Sequence, residues 1–312
     1  MPIYLPIAEL TVNLFHLLGL GVVVGTISGL FGVGGGFLLT PFLMIYGVPS
    51  PVAVASVTAQ VVASSTSGTL AHLARNTIDL KLGALLVAGG SLGAVLGVII
   101  FDVLKSLGQL DVLLAIGYLT LLGSIGTLML VESTGLSFRR KQAGQTAQPR
   151  PRRRFPPWIR ALPFPVTFRR SGLVVSAIPV VAVGLIIGVI GAILGIGGGF
   201  ILVPALVYLL RVPGKFVVGT SLLHLTAVMA VTCTLHALRN QSVDLILAFC
   251  LMIGGVFGAQ VGAAMGRNLD ARQLRLLLAV IVLVVAARFA YGLIVLPDTL
   301  FQSNRIDAGM IP

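Results

Sequence analysis

Two glycine triplets are the first feature with chemical potential. Gly34-Gly35-Gly36 and Gly197-Gly198-Gly199 each precede a short apolar segment, Phe37 to Tyr46 and Phe200 to Leu210. Consecutive glycines leave backbone N–H groups unshielded, and a helix that starts there points its free N–H groups and positive dipole end back at the break. Such an end binds anions. A phosphate-binding loop is excluded, because no Lys-Ser/Thr follows either triplet. One triplet alone serves close helix packing equally well. Two at matched positions, each with a proline five residues on (Pro41, Pro204), favour the anion reading.

Neutral polar side chains gather on the helix that follows each short segment: Ser56, Thr58, Gln60, Ser64, Ser65, Thr66, Ser67 and Thr69, then Thr220, Ser221, His224, Thr226, Thr232 and Thr234. Polar groups inside a membrane are costly and often functional, although single hydroxyls commonly bond their own helix. Gln60 and His224 occupy equivalent positions and read as a pair of neutral donors beside the triplets. His224 can also take up a proton, which makes it the candidate for proton coupling. Arg288 falls within a predicted helix, where it either meets the substrate or snorkels to the surface. The expected substrate-binding set is Gly34, Gly35, Gly36, Ser56, Thr58, Gln60, Gly197, Gly198, Gly199, Ser221, His224 and Arg288. His72 and His236, near Arg75 and Arg239, read as interfacial structural residues. Asp79 and Asp244 sit at helix starts, so no embedded carboxylate offers a cation site. No catalytic triad or metal-ligand spacing occurs, Cys233 and Cys250 lie in apolar runs, and neither an enzyme nor a cofactor is implied.

The elements that position these residues are read from composition. The chain is 57% hydrophobic and 10% charged with a mean hydropathy of +1.06, against about 25% charged in soluble domains. Runs such as Leu82–Ile100, Leu173–Leu194, Leu245–Ala264 and Leu276–Arg288 approach or exceed the ~18–20 residues that span a bilayer. They are continuously apolar, which excludes alternating barrel strands. The net charge of +12 does not indicate nucleic acid, because ten of the 21 basic residues lie between Arg139 and Arg170. That is the signature of a cytoplasmic loop. No basic residue precedes the first apolar run and no cleavage site follows it, so the first helix is expected to remain.

The chain also matches itself. Gly32-Val-Gly-Gly-Gly-Phe-Leu-Leu-Thr-Pro41 reappears as Gly195-Ile-Gly-Gly-Gly-Phe-Ile-Leu-Val-Pro204. The match extends from Val48-Pro49, His72, Arg75-Asn76 and Asp79 to Val212-Pro213, His236, Arg239-Asn240 and Asp244. Gly89, Gly93 and Gly97 match Gly254, Gly258 and Gly262, and these ladders, with Gly21, Gly25 and Gly29, read as helix-packing faces. The expectation is a first repeat over 1–131, a basic cytoplasmic linker over 132–171, a second repeat over 172–297 and a tail over 298–312. Helices are predicted at 11–32, 36–47, 51–74, 79–101 and 109–131, then at 172–195, 199–210, 214–238, 243–265 and 271–296. If each glycine-broken pair is a re-entrant hairpin, the halves are inverted and 17 basic residues face inside against two outside, with both termini outside. Parallel halves would leave six basic residues on the wrong face. The fold class is an all-α polytopic membrane protein of two inverted repeats, each a re-entrant helix pair followed by three transmembrane helices.

The run from Gly29 to Phe37 with Pro41, the Ser67-Gly-Thr-Leu-Ala-His-Leu73 segment and the second copy with Gly219-Thr-Ser221 resemble the TauE/SafE sulfite exporter family. That resemblance implies a bacterial inner-membrane, multi-pass permease for sulfite, sulfoacetate or another organosulfonate. The residues by themselves imply only a small anion, held at the midplane of inverted repeats with alternating access. Partners are thus the anion, the lipid bilayer and a coupled proton, without nucleic acid. A permease for another anion such as a carboxylate, and a non-transporting membrane scaffold, are the alternatives.

Overall fold

The computed structural model describes residues 2–31, 35–134, 165–168, 170–266 and 271–294. Each half opens with an antiparallel hairpin, β1 (Pro2–Leu5) with β2 (Leu10–Asn13) and β3 (Pro165–Phe168) with β4 (Leu173–Ser176). The first half continues with α1 (Leu14–Phe31), α2 (Gly36–Ile45), α3 (Ser50–Ala74), α4 (Leu80–Ser106) and α5 (Leu110–Thr134). The second continues with α6 (Ala177–Leu194), α7 (Gly199–Pro204), α8 (Gly214–Leu235), α9 (Leu245–Gly266) and α10 (Ala271–Ile294). These are the expected helices within a few residues. The hairpins were not expected, and β3 falls on residues assigned above to the linker. The rest of that linker, 135–164, and the tail lie outside the described residues.

Six described helices are long and apolar enough to cross a bilayer: α4, α5, α6, α8 extended to Asn240, α9 and α10. The 25 residues of α3 also have the length, and their Ser and Thr content lowers the hydropathy. The 10 residues of α2 reach only ~15 Å at 1.5 Å per residue, too short to cross.

Pairing between halves is reciprocal. α1 packs on α9 as α6 packs on α4, and α3 meets α9 as α8 meets α4. Glycine makes the first two contacts possible. Gly21 and Gly25 lie against the backbone of Gly254 and Gly255, while Gly89 and Gly93 lie against Val181 and Leu185, so α1 runs parallel to α9 and α4 parallel to α6. Equivalent helices, in contrast, meet antiparallel. Tyr118 stacks on Phe289 and Gly126 touches Val282 in the α5–α10 pair, and Ser65, Gly68 and His72 face Thr226, Leu222 and Gly219 in the α3–α8 pair.

Helix ends bury polar groups and satisfy them across the halves. Asp79 caps α4 through Leu82 N–H (3.3 Å), and its other oxygen accepts from Ser171 N–H and Oγ, at 3.1 and 2.7 Å. Asp244 caps α9 through Leu247 N–H (3.0 Å), and its other oxygen accepts from Ile7 N–H at 3.1 Å. Each hairpin therefore binds the carboxylate that starts a helix of the opposite half. The N–H groups of Asp244 and Asp79 in turn donate to Ser56 and Thr220. At the end of α6, the Tyr118 hydroxyl donates to the Leu194 carbonyl, so this buried helix terminus is closed by a side chain.

The second half holds one residue more between Pro204 and Pro213 than the first between Pro41 and Pro49, and one more between His236 and Asp244 than between His72 and Asp79. Ala205–Leu209 and His236–Asn240 are π-helical turns. A wider turn absorbs an added residue without rotating the rest of the helix. The left-handed residues that follow keep their places, Gly47 and Arg211 directly before Val-Pro, and Asn76 and Gln241 three residues before the capping aspartate.

Gly93→Ala forces a Cβ into the Leu185 carbonyl and within 3.0 Å of Val189 N, whereas a Cβ on Gly123 meets nothing within 4 Å. The expected cost is ~1–3 kcal/mol for the first, as for overpacking, and none or a slight gain for the second. Apparent melting temperatures of the two purified variants in detergent check this: only Gly93→Ala should melt earlier.

Candidate functional site

The two glycine breaks meet. A Cβ on Gly36 would stand 3.0 Å from the Ile196 carbonyl and 3.1 Å from that of Gly195, so the start of α2 rests on the backbone of the second break. Beside them the equivalent residues Phe37 and Phe200 stack, with centroids 4.5 Å apart and planes 4° from parallel. Val61 touches both Gly36 and Gly197, and its counterpart Leu225 touches Gly197. Gly195, Gly197 and Gly198 hold positive φ of 67°, 78° and 74°, while Gly35 is an ordinary right-handed residue at φ −69°. Gly199 begins α7, and Gly34 lies outside the described residues. The described glycines thus serve close backbone approach.

Gln60 and His224 stand in matching places around this junction. The Gln60 amide lies against Gly255 of α9 and 3.6 Å from a Cβ placed on Gly35. The His224 ring lies against Gly90 of α4, the counterpart of Gly255. Any side chain at either glycine would occupy the space of its polar partner. Gln60 is 2% exposed and His224 fully buried. Gln60 Oε1 has no hydrogen-bond partner among the described residues, and the His224 imidazole faces the Leu86 carbonyl without reaching full hydrogen-bond geometry. Leaving such groups unsatisfied costs about 1–3 kcal/mol each.

The other expected site residues have different surroundings. Ser56 accepts from the Asp244 N–H, and the Thr58 and Ser221 hydroxyls donate to Ala55 and Val218 carbonyls one turn earlier in their own helices. Arg288 is exposed, with its guanidinium 6.0 Å from the ring centroid of Tyr291 on the same helix. It is not brought to the junction.

Next to Gln60 opens a cavity of about 350 Å³ whose wall includes Ser28, Ser64, Ser65, Ser67, His72 and Gln260. The Ser28 side chain approaches Gly35 to 3.5 Å from the Cβ position that also faces Gln60. Sequence reasoning noted Ser64, Ser65 and Ser67 without assigning them a place, and did not find Ser28 or Gln260. The available signal was the difference between the copies, since the counterparts of Ser64, Ser65 and Ser67 are Val228, Met229 and Val231. His236, the counterpart of His72, is fully buried, edge-on to Phe101 and bonded to the Ala192 carbonyl and Asn240.

Residues 17–289 match the sequence profile of the family Sulfite exporter TauE/SafE. The chain belongs to the TauE/SafE sulfite exporter family. Among TauE/SafE-like relatives, it is 23% identical over 280 residues to "Probable membrane transporter protein YunE" of Bacillus subtilis (strain 168), covering 87% of this chain and 95% of that protein. It is 28% identical over 263 residues to a "Probable membrane transporter protein" of Xylella fastidiosa (strain 9a5c), covering 84% and 88%. It is 27% identical over 265 residues to "Probable membrane transporter protein YjnA" of Bacillus subtilis (strain 168), covering 85% and 95%. No solved structure matches. With its apolar helices, this TauE/SafE member is a multi-pass membrane transporter.

The triplets respond differently to a methyl group. Gly198→Ala places a left-handed residue, costing about 1–2 kcal/mol, with its Cβ in the Ile187 side chain. Gly35→Ala meets only ordinary contacts of 3.5–3.7 Å. Thermal unfolding in detergent should show Gly198→Ala destabilised and Gly35→Ala near wild type. Equal losses would refute the assigned backbone geometry.

Proposed function

We propose that this chain is a secondary transporter of the bacterial inner membrane for a small sulfur-containing anion, sulfite, sulfoacetate or another organosulfonate. The anion binds where the two glycine breaks meet and crosses by alternating access. The observation that carries this reading is the junction itself: two glycine-opened helix starts converge on a point flanked by Gln60, whose buried Oε1 is unpaired among the described residues, and by the buried His224 ring. Neutral amide, imidazole and backbone N–H donors suit an anion that must be both bound and released. The family name supports the sulfur class.

Antiparallel meeting of equivalent helices supports inverted halves, related by an axis in the membrane plane, with α1–α2 and α6–α7 as re-entrant pairs. Charge supports the orientation. Arg170 donates to the Ile78 carbonyl beside Arg75 and Lys81, and Gly219, one turn from Lys215, touches Thr77, so these basic residues share one end, the cytoplasmic one by the positive-inside rule. Ile7, Ser56 and Asp244 share the opposite end. In inverted repeats the two conformations exchange roles, so a path open at one end can be closed there and opened at the other. His224 is the proton carrier in this scheme.

Flux into proteoliposomes, measured for sulfite and sulfoacetate beside a panel of carboxylates, tests the substrate class; preference for a carboxylate would replace it. Gln60→Ala should raise the dissociation constant about 5- to 150-fold, from ~1–3 kcal/mol for a lost hydrogen bond. His224→Ala should flatten the pH profile of flux, and an unchanged profile would remove the proton role. Cysteine accessibility placing residue 272 on the outer face would overturn the inverted topology.

A further inference from the structure

The serine-lined cavity differs in chemistry from its counterpart in the other half, and the difference has a direction. Along α3 the wall residues run from Ser64 to His72, starting one turn beyond Gln60. The distance from Gln60 to His72 is ~18 Å at 1.5 Å per residue. On the facing side, α9 passes from Gly255, which touches the Gln60 amide, through Val256 and Ala259 to Gln260. The cavity therefore runs along α3 from one turn beyond Gln60 to His72.

Its polar groups are committed to different degrees. Ser65 is bonded to the Val61 carbonyl and to Thr226, and Ser64 to the Val61 carbonyl. Ser28, Ser67 and Gln260 make no hydrogen bond to the protein among the described residues. At the outer end, Arg75 lies three residues past His72 and Lys215 three before the wall residue Val218, both exposed. Basic residues around a concave mouth raise the local concentration of anions. The equivalent path at the other end holds Val228 and Met229, both buried, closes over His236 and Phe101, and carries the Arg239–Asp102 ion pair at 3.2 Å.

We propose that the cavity from His72 to Gln60 is the cytoplasmic vestibule through which an oxyanion reaches the junction, its oxygens passed between the Ser28, Ser67 and Gln260 donors. This rests on the anion-transporter reading and adds the route, the face and the recognising groups. The ligand class is a small anion with several acceptor oxygens, held by neutral donors and drawn in by basic residues at the mouth.

The test uses the full chain in sealed, oriented proteoliposomes, with Cys233 and Cys250 replaced by alanine and Ser67→Cys added. A membrane-impermeant maleimide should label residue 67 from the cytoplasmic face, and saturating sulfoacetate should slow that labelling at least fivefold. Gln260→Cys on the facing wall gives the same readout if Ser67→Cys does not fold. Calorimetric binding of sulfoacetate to the same protein runs in parallel. Labelling from the opposite face alone, or labelling that sulfoacetate leaves unchanged while binding persists, overturns the vestibule and leaves the transporter reading standing. Absence of sulfoacetate binding to the cysteine-free parent removes both.

Discussion

Two helices in lipid gain little by hiding leucine from their surroundings, because the lipid tails are as apolar as the side chains. What holds the halves together must come from contact close enough for dispersion and dipoles to count. Here that contact is backbone on backbone. Gly21 and Gly25 bring α1 onto α9, and Gly89 and Gly93 bring α4 onto α6, so each half is gripped by the other at both of its long interfaces. The position of the glycine breaks follows from this grip, because α1 and α6 lead straight into them. So do the places of Gln60 and His224, which fit only because Gly255 and Gly90 carry no side chain.

Against that tightly satisfied frame, the unsatisfied groups stand out. The buried carboxylates of Asp79 and Asp244 each accept from their own helix start and from the opposite hairpin. The C-terminal carbonyl of α6 is met by Tyr118. Beside the place where both breaks converge, by contrast, the Gln60 amide oxygen has no partner among the described residues and the His224 ring has only the Leu86 carbonyl facing it, which is what the proposed anion site builds on.

Much of this was legible in the chain. Helix positions followed from continuous apolar runs and from Pro49, Pro213, Asp79 and the glycine breaks, and the duplicated motif located the junction. Matching the copies also paired Gln60 with His224 before any contact was known. Three things escaped, for separate reasons. The hairpins are four-residue strands held by backbone pairing and by contacts to Asp79 and Asp244 from far along the chain, which local pattern does not encode. Ser56, Thr58 and Ser221 read like ligand-facing hydroxyls, since spacing does not tell whether a hydroxyl bonds its own helix, as Thr58 and Ser221 do, or a distant backbone N–H, as Ser56 does. Ser28 and Gln260 were hidden because attention to what the copies share obscures what only one of them has.

The stacking of Phe37 on Phe200 has a genealogical side. Both rings come from the same position of the repeated unit, as do the partners in the α3–α8 and α5–α10 pairs. Such contacts are isologous: each surface is complementary to itself under a two-fold rotation. A single ancestral unit would already have carried every one of these surfaces, and two separate copies inserted in opposite senses could have assembled around the same aromatic pair. Within one chain the copies need not stay alike, and the serines of one half and the valines and methionine of the other are where they differ.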